Sequence, residues 1–215
     1  TALLATVTTV ILLLLGTPLA WWLARRRGNL GAAVEALVAT PLILPPTVLG
    51  FYLLLLLAPD RGIGRAWQWL TGEQLAFSFW ALVIGSVVYS LPFVVQPLQS
   101  AFRRIPDELL QAAATLGAPP GDQFRSVAMP LARRSFITAA SLGFAHTVGE
   151  FGVILMIGGN IPGETQVLSI LLYDQVEALN FDAAHRLAAG LLIFSLALLF
   201  LLYRSDGARF WRLER

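Results

Sequence analysis

The sequence contains no cysteine and no lysine, and it has few charged residues of any kind. Without cysteine the chain forms no disulfide, offers no thiolate to a metal and has no cysteine nucleophile. Without lysine it cannot carry the Gly-x-x-x-x-Gly-Lys-Ser/Thr loop that holds nucleotide phosphates. Only 13% of the 215 residues are charged, whereas about 25% is usual in a soluble domain. With 57% hydrophobic residues and a mean hydropathy of +0.71, this scarcity of charge indicates a membrane protein.

Long uncharged runs predict five membrane-spanning helices, because a helix needs roughly 20 apolar residues to cross a bilayer. The predicted spans cover residues 2–24, 36–58, 75–102, 135–157 and 184–203. The first run is too long for a removable signal peptide, and no basic region precedes it. We therefore expect an all-α, polytopic membrane protein that forms a single domain over residues 1–215.

Arginine is distributed unequally between the two sides of these spans. Cytoplasmic flanks of membrane proteins collect arginine and lysine, and an N-terminus outside the cell places most of the arginines inside. The inner arginines would be Arg25, Arg26, Arg27, Arg103, Arg104, Arg125, Arg133, Arg134, Arg204, Arg209, Arg212 and Arg215, and the outer ones Arg61, Arg65 and Arg186. This asymmetry predicts an N-out, C-in protein of the cytoplasmic (inner) membrane, with residues 103–134 as a cytoplasmic loop.

Residues 158–180 form the predicted outer connection before the last span. After a Gly/Pro turn, apolar residues recur at helical spacing from Val167 to Leu179, which indicates a short amphipathic helix. Asn180 can end this helix and Asp182 can cap the next one. Packing against the bundle is the more frequent role of such a helix.

The predicted cytoplasmic loop carries the punctuation of two short helices. Pro106 suits a first helical position, and Gly117 suits a left-handed cap after the first helix. Asp122 suits the N-cap of a second helix over residues 123–129. Loops of this length without a function are uncommon, so we expect a compact helical element that contacts a partner.

The loop resembles the cytoplasmic EAA loop of bacterial ABC-importer permeases. That family has Glu-Ala-Ala, three residues, Gly, nine residues and then Ile-x-Leu-Pro, and this chain has the same spacing, with Gln111, Val127 and Met129 as its departures. The resemblance implies the type I permease fold and a loop that docks on a separate ATPase. The docking residues it implies are Glu108, Gln111, Ala112, Ala113, Gly117, Val127 and Pro130.

The same resemblance implies the other subunits. A cytoplasmic ATPase dimer would bind ATP and Mg and hydrolyse the nucleotide, so this chain would itself be no enzyme and hold no cofactor. A periplasmic or extracellular oxyanion-binding protein, a second copy of this chain and membrane lipid would be the further partners. Nothing in the sequence indicates contact with nucleic acid.

Three stretches resemble the molybdate branch of these permeases, which often also carries tungstate. They are "PLILPPTVLGFYLLLLL", "GEFGVILMIGGNIPGET" and "AATLGA". Sulfate permeases are close relatives and share much of "GEFG" and "GGNIP", so sulfate is the alternative cargo. The resemblance covers residues 1–203.

Polar groups inside the spans are the candidates for a pathway or gate. They are Thr40, Thr47, Ser86, Ser90, Thr147 and Glu150, together with the helix-breaking pair Pro45 and Pro46. A conduit needs hydroxyl donors but weak binding, and each hydroxyl has an ordinary alternative role in helix–helix hydrogen bonding. Asn160 and Thr165 are the candidates for an outer mouth that receives the released anion.

Glu150 has several possible roles, since an acid within a span is a functional hypothesis by default. His146 lies four residues earlier, so a His–Glu pair on one helical face is possible. Because a carboxylate repels an anion, we favour a structural or gate-linking role for Glu150.

The whole chain has alternative functions from other classes, which are an ion-coupled secondary anion transporter, an intramembrane hydrolase and a purely structural subunit. The first of these predicts internal repeats and several midspan ion ligands, and only one midspan acid is present.

Overall fold

The structure, a computed structural model, describes residues 1–26 and 28–207, with the backbone only at residues 203 and 205–207. These ranges contain helices and no strand, which confirms the all-α class. Their α-helices are α1 (Ala2–Arg25), α2 (Asn29–Ala39), α3 (Pro46–Leu57), α4 (Gly62–Thr71), α5 (Phe79–Arg103), α6 (Asp107–Thr115), α7 (Pro120–Gln123), α8 (Met129–Gly149), α9 (Gly152–Gly158), α10 (Leu168–Glu177) and α11 (Phe181–Gly207). A 3₁₀ turn covers Thr40–Leu42 and a π-helical turn covers Phe124–Ala128. Four predicted inner arginines, Arg27, Arg209, Arg212 and Arg215, lie outside the described residues.

Three of the described helices, α1, α5 and α11, are long and apolar enough to cross a membrane. Two bent helix pairs also qualify if each is one span, so the described chain has up to five candidate spans. The helix starts differ from the predicted ones where a polar residue caps the helix. Thus α5 begins at Phe79 because the Ser78 hydroxyl accepts a hydrogen bond from the Ala81 amide. Likewise α11 begins at Phe181 because Asn180, rather than Asp182, accepts from the Ala183 amide.

The second predicted span is not one straight helix over residues 36–58. It begins at Asn29 and bends by 109° between Asn29–Leu42 and Pro46–Leu57. Proline disfavours helical backbone at the residue before it and lacks an amide hydrogen, and Pro45 is accordingly extended with ψ of 133°. The prediction that the prolines interrupt this span is confirmed.

The fourth predicted span is likewise not one straight helix over residues 135–157. Its helix starts at Pro120 and reaches Gly149, and Gly152–Gly158 follows at an angle of 60°. Asp122 therefore lies in the first turn of this long helix, whose N-cap is Pro119. The predicted separate helix over residues 123–129 is wrong because the π-helical turn joins α7 to α8 without a break.

The apolar interior is divided into two main clusters along the length of the bundle. The first, which we name the Arg25-end cluster, includes Leu12, Leu23, Val94, Leu98 and Phe102. The second, which we name the Thr1-end cluster, includes Leu4, Leu53, Val83, Ile154 and Ile170. Both α1 and α5 run through the two clusters, so these two helices form the axis of the described fold.

The last helix lies apart from this interior. The most apolar window of α11 contains no buried residue within the described chain. A cleft of about 370 Å³ separates it from α8, lined by Phe144, Val148, Leu191 and Phe194 among others. The helix therefore presents a large apolar surface that the described chain does not cover.

Candidate functional site

Several buried polar side chains lie at the boundary between the two apolar clusters. They are Thr8 on α1, Ser86 and Ser90 on α5, and Thr147 and Glu150 at the end of α8, each at most 3% exposed. The residues four positions before and after Thr8 belong to different clusters, which places Thr8 at the boundary. We name these five residues the polar layer. It brings together four predicted pathway residues that are distant in sequence.

Ser90 connects α5 to α8 within this layer. Its Oγ lies 2.8 Å from Nδ1 of His146 and 3.2 Å from Oγ1 of Thr147. The hydroxyl of Thr147 also donates to the carbonyl oxygen of Gly143 at 2.9 Å, and the His146 ring is stacked on Phe93 with ring centroids 3.9 Å apart. Ser90 and Thr147 thus have the helix–helix role that the sequence left open for the hydroxyls.

Glu150 occupies the break between α8 and α9. By geometry, neither carboxylate oxygen of Glu150 has a hydrogen-bond partner among the described residues, and the buried Ser86 hydroxyl has none either. The possible pair with His146 is not formed. The reason is that α8 ends at Gly149, so extended Glu150 leaves the helical face that carries His146. Buried polar groups without a partner are unusual and call for a functional explanation.

The breaks of the second and fourth spans are in direct contact. A Cβ atom on Gly152 would lie 2.8 Å from Cβ of Pro46, and one on Gly50 would lie 2.8 Å from Cβ of Met156. Only glycine allows α3 and α9 to approach this closely. The two broken spans therefore contact each other where they bend, and we name the contact of Gly50 and Pro46 with Gly152 and Met156 the joint.

The other predicted gate residues lie around this joint. Thr40 donates to the carbonyl of Ala36 at 2.8 Å, which is a hydrogen bond within its own helix and an ordinary role of a helical threonine. Pro45 and Thr47 are exposed at the bend. A role of these side chains in gating stays a prediction.

The predicted outer mouth has its side-chain donors already engaged. Nδ2 of Asn160 donates to both carboxylate oxygens of Asp174, at 3.1 and 2.9 Å. The fully buried Thr165 hydroxyl donates to the carbonyl of Gly158 at 2.6 Å and accepts from the Ile161 amide at 2.9 Å. Reception of an anion by Asn160 and Thr165 would require these hydrogen bonds to break.

The predicted docking loop folds into a helix with a glycine cap. After α6, Gly117 adopts φ of +87°, and the amide of Ala118 donates to the carbonyl of Ala113 at 3.0 Å. This is the pairing of a left-handed helix cap. The predicted docking residues of the loop are exposed except for Ala113 and Val127, which are half-buried; the exposed ones are Glu108, Gln111, Ala112, Gly117 and Pro130.

The loop is held against the bundle from its other face. Leu110 is 5% exposed, and Asp107 forms an ion pair with Arg25 at the end of α1, at 3.4 Å. Phe124 packs edge-on against Trp21 and Phe102. The loop thus contacts α1 and α5 directly and continues through the π-helical turn into α8.

Sequence reasoning missed two residues of these sites. Leu116, directly before the cap, is 89% exposed, and a protruding leucine beside the predicted contact face is a typical interface side chain. Thr8 was missed because Thr6 and Thr9 lie beside it, and the sequence alone does not show which hydroxyl faces the polar layer. The available signal was its position four residues after Leu4 and four residues before Leu12, on one face of the predicted helix.

Comparisons with known proteins agree over most of the chain. Residues 16–208 match the family described as "Binding-protein-dependent transport system inner membrane component". The "Molybdenum transport system permease protein ModB" of Azotobacter vinelandii is 57% identical over 202 residues, which cover 94% of this chain and 89% of that protein. The "Probable sulfate transport system permease protein cysT" of Zygnema circumcarinatum is 32% identical and covers 94% of this chain and 70% of that protein.

A solved structure supports the fold. A chain in the crystal structure of a bacterial ABC transporter involved in the import of the acidic polysaccharide alginate superimposes with a TM-score of 0.71. The superposition covers 97% of this chain and 78% of that chain at 15% sequence identity. At this identity the likeness concerns the fold alone, and the fold is that of an ABC-importer permease.

Proposed function

Because the chain belongs to the family of binding-protein-dependent transport system inner membrane components, we propose that it is the permease subunit of an ATP-driven importer of molybdate and tungstate. In this system an external binding protein delivers the oxyanion, and this chain passes it across the cytoplasmic membrane. The chain is a transport subunit and contributes no catalytic residue.

One observation carries the choice of cargo. The chain is 57% identical to a molybdenum transport permease but 32% identical to a sulfate transport permease, with 94% of the chain covered in both cases. Sulfate is the second candidate cargo, because the sulfate transport permease also matches 94% of this chain.

The exposed face of α6 supports the coupling to an ATPase. Small residues such as Ala112 allow a partner surface to approach closely, and Leu116 offers a protruding apolar side chain next to them. The partner ATPase would bind ATP and Mg and hydrolyse the nucleotide. The arginine distribution supports an orientation with this face in the cytoplasm and the N-terminus outside.

The polar layer supports a conduit rather than a storage site. In the described part of the chain it contains hydroxyls and one acid but no arginine, so an oxyanion would meet donors without a fixed positive charge. Weak binding of this kind allows an ion to leave as well as to enter. Selection of molybdate is then the task of the binding protein.

The complete importer would contain two copies of this chain, two ATPases and one binding protein. The uncovered apolar surface of α11 supports pairing, and a closed two-fold pair is the commonest oligomer. Native mass measurement of the purified complex tests the composition. A complex with one permease and one ATPase would contradict it.

Uptake into proteoliposomes that contain the complete importer tests the function. We expect ATP-dependent uptake of labelled molybdate that unlabelled tungstate inhibits more strongly than sulfate does. Uptake of sulfate alone would overturn the cargo. Uptake without ATP, driven by an ion gradient, would favour a secondary transporter.

A further inference from the structure

The short helix α9 is fastened to α10 at both of its ends. Before α9, the Ser169 hydroxyl on α10 donates to the backbone carbonyl oxygen of Glu150. After α9, the two carboxylate oxygens of Asp174 on α10 accept hydrogen bonds from the side-chain amide of Asn160 at 3.1 and 2.9 Å. Gln166 reinforces this end by donating to Asn160 at 3.1 Å and to Asp174 at 3.3 Å.

These bonds hold backbone that would otherwise be costly. The break at Glu150 removes its carbonyl from the helical ladder, and a buried carbonyl without a partner is strongly unfavourable at membrane depth. Asn160 has φ of +56°, a left-handed conformation that is uncommon in residues other than glycine and that asparagine tolerates when its side chain is hydrogen-bonded. Ser169 and Asp174 therefore stabilise the two points at which the chain enters and leaves α9.

The fastened pair belongs to one half of the molecule. α9 packs on α3 through Gly50 and Gly152, and Ile170 of α10 is fully buried in the Thr1-end cluster. α8 contributes to the Arg25-end cluster through Ala132 and Ala139. Because the chain breaks at Glu150 between α8 and α9, no continuous helix fixes the body formed by α3, α9 and α10 to α8.

We propose that Ser169 and Asp174 are positioning residues that transmit displacement of α10, at the outer face, to the break at Glu150. This inference rests on the proposed function, in which the binding protein presses on the outer face and the break belongs to the gate. We name the hydrogen bonds made by Ser169 and by Asp174 the two clamps. Loss of either clamp would leave intact the ATPase and the loop of this chain that docks on it. Docking of the binding protein would then no longer move the break.

The first test replaces Ser169 in the assembled importer and measures ATPase activity with and without the binding protein. We expect Ser169→Ala to keep basal activity and to lower the stimulation by loaded binding protein roughly fivefold, the factor that corresponds to one hydrogen bond. Ser169→Thr retains a hydroxyl and should restore the stimulation. Ser195→Ala is the matched control, since Ser195 donates only within α11 to Leu191.

Three outcomes would overturn the role of Ser169. They are unchanged stimulation in Ser169→Ala, an equal fall of basal and stimulated activity, and failure of the variant to assemble. The last two would assign Ser169 to stability alone. An equal loss of stimulation in Ser195→Ala would also count against the proposal.

The second test addresses the other clamp. Asp174→Asn replaces one of two acceptor oxygens by an amide donor, which faces the donors of Asn160 and Gln166. We expect the same selective loss of stimulation, whereas Asp182→Asn, at an exposed acid in the first turn of α11, should have no effect. Normal stimulation in Asp174→Asn would contradict the proposal.

A third measurement is independent of the cargo. Because the chain has no cysteine, cysteine pairs can carry spin labels at the exposed positions Val176 on α10, Tyr52 on α3 and Ile137 on α8. The importer is assembled with spin labels on only one of its two copies of this chain. When ATP traps the importer, the distance between the labels at positions 176 and 137 should change, and the distance between those at positions 176 and 52 should not. In Ser169→Ala the distribution of distances between the labels at positions 176 and 52 should become broader, because α10 is no longer held to the break at Glu150. A constant 176–137 distance would refute the moving body even if molybdate uptake is confirmed, whereas failure of uptake would refute only the proposed cargo.

Discussion

A Cβ atom on Gly152 would lie 2.8 Å from Cβ of Pro46, so the breaks of two spans touch where one residue has no side chain. We expect Gly152→Ala to separate α3 from α9 and to destabilise the protein by about 1–3 kcal/mol, the usual cost of overpacking. Thermal unfolding of the purified complex measures this loss. Gly149→Ala is the control, because a Cβ atom there would meet nothing within 4 Å; equal stability of the two variants would contradict the contact.

Gly117 gives the docking loop its left-handed cap. With φ of +87°, Gly117→Val should cost about 1–2 kcal/mol locally and distort the contact face without disturbing the membrane helices. We expect normal insertion but loss of ATPase co-purification. Gly121→Val, at a helical position with open space around it, should retain the ATPase. Full co-purification of Gly117→Val would refute this role.

Ala113 lies half-buried on the contact face of α6. A charge introduced by Ala113→Asp would be trapped without a partner when the ATPase docks, so we expect coupled uptake to fall roughly tenfold or more. Uptake and ATP hydrolysis, measured together, distinguish uncoupling from inactivation. Ala66→Asp, on the exposed surface of α4, is the control; wild-type uptake in Ala113→Asp would count against docking at this face.

Glu150 distinguishes an ATP-driven permease from a proton-driven carrier. Its carboxylate forms no ion pair among the described residues, and Glu150→Gln keeps the shape and polarity of the side chain while removing its titratable proton. We expect uptake to remain within about fivefold of wild type, the scale of a single hydrogen bond. Abolished uptake with intact ATPase activity would instead indicate that the proton of Glu150 takes part in transport.

Selectivity should reside outside this chain. Because no arginine lies in the polar layer of the described chain, the permease–ATPase complex without its binding protein should bind molybdate only weakly. Isothermal titration of that complex measures the affinity. Binding at micromolar concentration or tighter within the pathway would disprove the conduit.

Local sequence chemistry predicted much of the backbone correctly. The prolines around Pro45 break the second span, and Gly117 caps the loop helix, because both effects depend on the φ and ψ angles of the residue itself and its neighbours. The long apolar runs predicted α1, α5 and α11 to within a few residues, because a helix that crosses a bilayer needs about 20 consecutive apolar residues. Docking of an ATPase on Gln111 and Ala112, and reception of an anion at Asn160 and Thr165, stay predictions.

Only the tertiary structure decided which polar groups meet. His146 contacts Ser90, 56 residues away, rather than Glu150 four residues away, because the helix ends between His146 and Glu150. Asn160 is held by Asp174 on another helix, and the polar layer draws on three helices. The sequence determined where helices run and break, since those features follow from nearest neighbours along the chain. Their rotation and register against one another depend on the packing of every side chain at once, and this packing is what joins Gly152 to Pro46 and Ser169 to Glu150.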